Sequence, residues 1–194
     1  AEAHAGDRDR DLQLERLLRE PRPEHDVGAA PLAVALERIA RDARAEQQLW
    51  GRQPREAVDT VEDGLELLEA NPFPHFQSMI HHIGGRASAD LAVLARTDRD
   101  DAEVTAALGR IDAHLDRLRE IVETVPEPGP RSELVADLRS TEAERTRAAG
   151  DSNPAAWKAA VDAWTDRDRP YDVAYGQWRL AEASLGRGDR VGAR

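Results

Sequence analysis

Five aromatic residues crowd one short stretch: Trp157, Trp164, Tyr171, Tyr175 and Trp178 fall within 22 residues of a chain that is only 4% aromatic. Tyrosine and tryptophan join an apolar body to a polar tip, so they suit both the stapling of helices and the lining of a groove. Trp157 and Trp164 are seven apart and share a helical face, and packing is the reading their spacing favours. Trp164, Tyr171, Tyr175 and Trp178, with the adjacent Arg179, form the candidate partner- or ligand-binding set. Arg86 with Asp90, and Arg179 with Glu182, are within one helical turn of each other, the spacing of surface or interhelical ion pairs.

Other chemistry finds less support. His75 and His82 are seven apart with His81 beside the second, and the His-x-x-x-His spacing that gathers zinc ligands is missing. These histidines read as helix-end or surface groups. Glu142 and Glu144 fall on different faces of a helix with no partner set opposite, so no acid–base pair is legible. The run Asp98–Asp101 lacks the Asp-x-Asp-x-Asp-Gly spacing of a calcium loop and reads as a solvated turn offering helix caps. No catalytic or metal-binding residue is assigned, and the chain is expected not to be an enzyme.

Charge narrows the partners. The formal charge is −11 and Lys158 is the only lysine, so the basic face that phosphate neutralisation requires is missing and no nucleic-acid-binding residue is assigned. There are no cysteines, which excludes disulfides and cysteine-based zinc sites. The first residues are charged, unlike a signal peptide, and no run approaches the roughly 20 apolar residues that span a bilayer. A cytoplasmic location and no membrane partner are the expectations. The chain starts Ala1-Glu2-Ala3 and stops at Arg194 in mid-pattern, which suggests a piece of something longer.

The elements that must position these residues are helical. Apolar residues make up 40% of the chain, mostly Ala, Leu and Val, and charged residues 34%, a composition suited to long helices with wet outer faces. A short amphipathic run at Leu12, Leu14, Leu17 and Leu18 meets a proline-rich loop over 21–31. Helical spacing then predicts helices over about 31–49, 54–70, 75–97, 131–149, 154–166 and 170–187, with a further one between the Asp98–Asp101 turn and the break at Pro126. Val104, Leu108, Ile111, Leu115, Leu118 and Val122 mark the clearest stripe. Pro54 and Pro154 suit first-turn positions, and Asn153 an N-cap. No segment alternates like a strand. The fold class expected is all-α, antiparallel helix pairs stacked as a tetratricopeptide-like solenoid or bundle. Residues 1–30 would be an N-terminal helix and loop, and 31–194 the repeat domain.

The end of the chain supports helix pairs with a period near 34 residues. From Leu180 to Ala193 small residues sit where two helices must touch, with Gly188-Asp189 at the turn between them. A helix beginning at Val191 would lack its packing partner, so an apolar strip should lie exposed near 171–194.

The stretches Trp157-Lys158-Ala159-Ala160-Val161-Asp162-Ala163-Trp164, Arg169-Pro170-Tyr171-Asp172-Val173-Ala174-Tyr175 and Trp178-Arg179-Leu180-Ala181-Glu182-Ala183 together resemble the helical arm of large ATP-binding LuxR-type transcriptional regulators. Arg86, Asp90, Trp157, Pro170, Ala174, Ala181, Glu182 and Gly188 carry the family-like structural signature, spread over roughly 50–194. The resemblance implies a nucleotide-binding domain and a helix-turn-helix elsewhere in the parent. This segment holds neither the phosphate loop nor the basic recognition helix. It implies no cofactor here, with ATP and DNA bound only through missing domains. The partners implied are other domains of the same chain or a protein partner, with self-association as a further expectation. The function implied is regulatory, coupling or sensing without catalysis. The alternative is a free-standing tetratricopeptide-like adaptor for a protein or peptide.

Overall fold

Proline decides where several helices start. Pro54, Pro74, Pro154 and Pro170 each open a helix, at a position where the missing N–H is already without an intrahelical partner and the ring fixes a helical φ. Side-chain caps complete two of the starts. Asp100 accepts from the Glu103 backbone N–H at 3.0 Å, and Asn153 accepts from that of Ala155 at 3.0 Å. Gly188 turns the chain after the last helix at φ +79°, a conformation that costs glycine nothing.

The computed structural model describes residues 29–66, 74–126, 131–190 and 192. Leu36–Arg194 form one unit, to which every side chain discussed below belongs. Seven helices are described: α1 (Ala29–Trp50), α2 (Pro54–Glu66), α3 (Pro74–Asp98), α4 (Asp101–Thr124), α5 (Arg131–Ala148), α6 (Pro154–Thr165) and α7 (Pro170–Gly186). There is no strand among the described residues. The fold is all-α and built of packed helices. α1 begins two residues inside the expected loop. The expected N-terminal helix, most of the proline-rich loop, the end of the helix predicted to residue 70, Val191 and Ala193 lie outside the described residues.

α3 is the helix around which α2, α4 and α5 pack. Its Ile80, Ile83, Ala87 and Leu91 close on Leu49 of α1 and Val58 and Val61 of α2. Its Ala89 and Ala92 join Ile111, Leu115 and Leu118 of α4 and Leu134 of α5 in a second cluster. Farther along, α5 carries α6, which carries α7, with Ala143, Trp157, Tyr175 and Ala183 at the centre. The predicted α4 stripe is buried at Ile111, Leu115, Leu118 and Val122.

A helix gripped by three neighbours needs small residues in its middle. A Cβ on Gly84 would stand 2.5 Å from His114 Nε2 and 2.9 Å from Val61 Cγ1. On Gly85 it would stand 2.5 Å from Thr141 Cγ2. Gly109, exposed on α4, has nothing within 4 Å of such an atom. A Gly-to-Ala change gains about 1 kcal/mol of helix propensity, whereas forcing a methyl into a filled core costs about 1–3 kcal/mol. Gly109→Ala should therefore raise the urea midpoint, and Gly85→Ala should lower it or leave it unchanged. A stabilised Gly85→Ala would show that α5 does not press on α3 there.

Candidate functional site

The groups that meet at the site come from four helices: the C-terminal end of α1, the middle of α3, the end of α5 and the first half of α7. Tyr175 is buried, and its hydroxyl donates to Glu144 Oε1 at 2.5 Å. Glu144, fully buried, also accepts from Arg147 Nε at 2.7 Å. Arg147 Nη2 reaches across to Asp90 at 2.6 Å, and Arg179 Nη2 to the same oxygen at 3.4 Å. Arg86 Nη1 donates to both oxygens of Glu46 at 3.1 Å. Tyr171 donates to Glu46 at 3.0 Å and accepts from Trp50 Nε1 at 2.7 Å.

The rings and guanidinium groups alternate. Arg86 Cζ lies 5.1 Å from the Trp50 ring centre and 4.1 Å from that of Tyr175. Arg179 Cζ lies 5.2 Å from Tyr175 and 4.3 Å from Trp178. Trp178 and Trp50 then meet with centroids 6.4 Å apart and planes 22° from parallel. Each cation faces a ring's electron-rich side. Burial works to lower the Arg86 pKa, but Tyr175 and Glu46 outweigh it and the value ends above the ordinary one. Arg147 behaves alike: burial is opposed first by Glu144, and the net shift is upward. Burial and then Glu144 push the Tyr175 pKa up. At neutral pH both arginines are charged and the tyrosine is a neutral donor.

This network floors an open cavity of about 480 Å³, with Trp50, Arg52, Arg86, Asp90, Trp178 and Arg179 among its lining. Val93 and Leu94 of α3 complete an apolar side and are 40% and 38% exposed. Tyr171 belongs to an adjoining cavity of about 360 Å³ with His82, Asp137 and Asp172.

Of the residues singled out from sequence, Trp178 and Arg179 line the larger cavity, Tyr175 supports it, and Tyr171 borders it through Trp50. Trp164 departs from the set. It is buried and donates to Ser140 of α5 at 2.8 Å, so it packs α6 onto α5. Trp157 is likewise buried, with its Nε1 on Ser152 at 3.0 Å. Arg179 does pair with Glu182, at 2.9 Å. Arg86 pairs with Glu46 and not with Asp90, because Asp90 faces Arg147 and Arg179 instead. Pro170 opens α7, on which Ala174 is exposed and Ala181 half-buried. The expected exposed strip is present at Tyr171, Trp178 and Leu185, which recur every seven residues on α7.

Trp50, Glu46 and Arg147 escaped the sequence reading, and Glu144, expected to have no partner opposite, meets the Tyr175 hydroxyl. Trp50 carried one signal, a lone tryptophan in an aromatic-poor chain at a helix end. The three charged residues looked like ordinary helix surface.

His75 stands in the first turn of α3, at a helix end as expected, but His81 and His82 correct the expectation. His81 and His114 lie between α3 and α4 with their Nδ1 atoms 3.0 Å apart, and His82 Nδ1 is 3.3 Å from Thr141 on α5. They are interior groups. Burial, aided by neighbouring cations, lowers His81 to about 3, and burial lowers His82 and His114 to about 4. No three histidine, aspartate or glutamate side chains among the described residues could hold a metal ion. No described helix is long and apolar enough to cross a membrane. No family model, curated protein or solved structure matches the chain.

Proposed function

We propose that the chain is a regulatory helical arm of the kind found in LuxR-type transcriptional regulators, a tetratricopeptide-like module that senses or couples in the cytoplasm without chemistry of its own. The observation that carries the reading is the groove. Three helices bring Trp50, Arg86, Arg179 and Trp178 to one open, aromatic-walled cavity, and Arg147 of α5 joins its lining. A cavity of a few hundred cubic ångströms with a few fixed polar groups suits a small ligand. The charges around it are tied to one another, carboxylate to guanidinium, an arrangement that fixes shape and does not activate a nucleophile. Part of the resembling stretch in the last third also builds the groove: Tyr175 and Trp178 stack on Arg179, and Pro170 starts their helix.

Such an arm would meet ATP and DNA only through other domains of a parent chain. Sequencing the parent reading frame on both sides tests this. A phosphate-binding loop on one side and a helix-turn-helix on the other are expected. A frame with neither would overturn the regulator assignment and leave an acidic adaptor for a protein or peptide.

A further inference from the structure

We infer that the cavity between Trp50 and Trp178 takes a small organic acid, a carboxylate carried on a planar apolar body. The inference rests on the sensing-arm reading and specifies what is sensed. In a chain of net charge −11, the lining of this cavity is cationic: four arginines, Arg52, Arg86, Arg147 and Arg179, face one aspartate, Asp90. The acids that hold three of these arginines, Glu46, Glu144 and Glu182, are outside the lining. The lining thus carries four cations against one anion, Asp90, which Arg147 and Arg179 share.

Arg52 completes the argument for an anion. It makes no ion pair among the described residues and is exposed at the rim. Its backbone sits at φ +58°, a left-handed conformation that side chains other than Gly, Asn and Asp rarely adopt. Arg99 and Asp168 take the same conformation in the turns after α3 and α6, so the conformation only sets where the Arg52 side chain leaves the turn. Below it, Arg86 is 4% exposed, and its Nε has no hydrogen-bond acceptor among the described residues.

The remaining surface argues for the planar body. Trp50 and Trp178 are 54% and 45% exposed, and Val93 and Leu94 stand on the same cavity wall. A cationic ligand is disfavoured, since Arg86 and Arg179 already lie on the Trp50 and Trp178 rings and would repel it. A neutral apolar ligand would use the rings and leave the Arg52 charge at the cavity unused. A carboxylate matches the guanidinium fork in geometry and charge.

Isothermal titration of the chain with 4-hydroxyphenylacetate tests this, beside its neutral amide, acetate, and a tripeptide ending in a free phenylalanine carboxylate. The aromatic acid is expected to bind with a Kd of about 1 mM or tighter, and both the amide and acetate at least about tenfold more weakly. Arg52→Gln should weaken the acid about tenfold and leave the amide unchanged, because it removes a charge-assisted contact at an exposed residue. Trp178→Ala should weaken acid and amide alike, by about three- to tenfold. Equal binding of acid and amide, an unaffected Arg52→Gln variant, or no binding of the acid at millimolar concentration would each overturn the inference. A tripeptide binding tenfold tighter than the free acid would reassign the site to a protein terminus, overturning the small-molecule occupant. The reading-frame test fails independently: binding without flanking domains keeps this inference and sinks the regulator, and flanking domains without binding do the reverse.

Discussion

Glu144→Ala should be among the most damaging single substitutions in the chain, lowering the unfolding free energy by about 3–5 kcal/mol, the range for removing one partner of a buried ion pair. Glu144 is fully buried on α5 and holds two groups at once, the Tyr175 hydroxyl from α7 and the Arg147 guanidinium from its own helix. Alanine would strand a buried tyrosine donor and leave Arg147 with Asp90 alone. For a chain of this size, a loss of that order lowers Tm by about 10 °C. Glu144→Gln keeps the shape and one acceptor but removes the charge, and should lose less. Combining Glu144→Ala with Arg147→Ala should cost less than the two single changes added, since the pair acts as a unit. Additive losses in urea titrations would show that the two side chains are not coupled and that the floor of the cavity is held by something else.

The same residue shows where sequence stops being readable. Helix positions follow from local chemistry: Pro54, Pro154 and Asn153 mark starts by their own backbone properties, and the α4 stripe follows from a period that one helix displays by itself. The packing of Trp157 and Trp164 was legible for the same reason, because two large apolar groups on one face must be covered. The site is different. Glu46, Asp90 and Glu144 lie on three helices, and a carboxylate on an amphipathic helix looks the same whether it meets water or a guanidinium 57 positions away, as Asp90 meets Arg147. The assumption that Arg86 pairs within its own helix failed on that point. Its partner is 40 residues upstream, and only the packing of α1 near α3 brings Glu46 to it. The histidines were misplaced by a related error. A polar side chain reads as surface unless the helix carrying it is known to be surrounded, and α3 is surrounded because Gly84 and Gly85 let its neighbours close in.

Those buried histidines make the fold sensitive to acid. Between pH 6.5 and about 4, stability should fall by about 1.4–2.7 kcal/mol per pH unit, the linkage slope for one to two protons. In the unfolded chain each imidazole takes up its proton near 6.5, whereas in the folded chain His81 resists to about 3 and His82 and His114 to about 4. Burial is the first cause for all three. His114 and Arg117 add to it at His81, Arg86 and Arg169 at His82 against an opposing Glu46, and Arg110 at His114. At pH 5 the unfolded state therefore holds three protons that the native state refuses. Asp137 works the other way. Burial raises its pKa to about 7 from 3.8 despite the hydroxyl of Ser78 at 2.6 Å, so the native state holds a proton there that the unfolded state lacks. Asp172, raised by burial, adds to that side. The difference still favours the unfolded state, so stability is full above about 6.5 and drains as pH falls toward 4. Urea midpoints measured in half-unit steps across this range would show the slope. His82→Gln, which keeps a polar partner for Thr141 but cannot be protonated, should flatten it by close to one proton. A slope unchanged in that variant would mean that the acid sensitivity arises elsewhere than at the packing of α3 against α5.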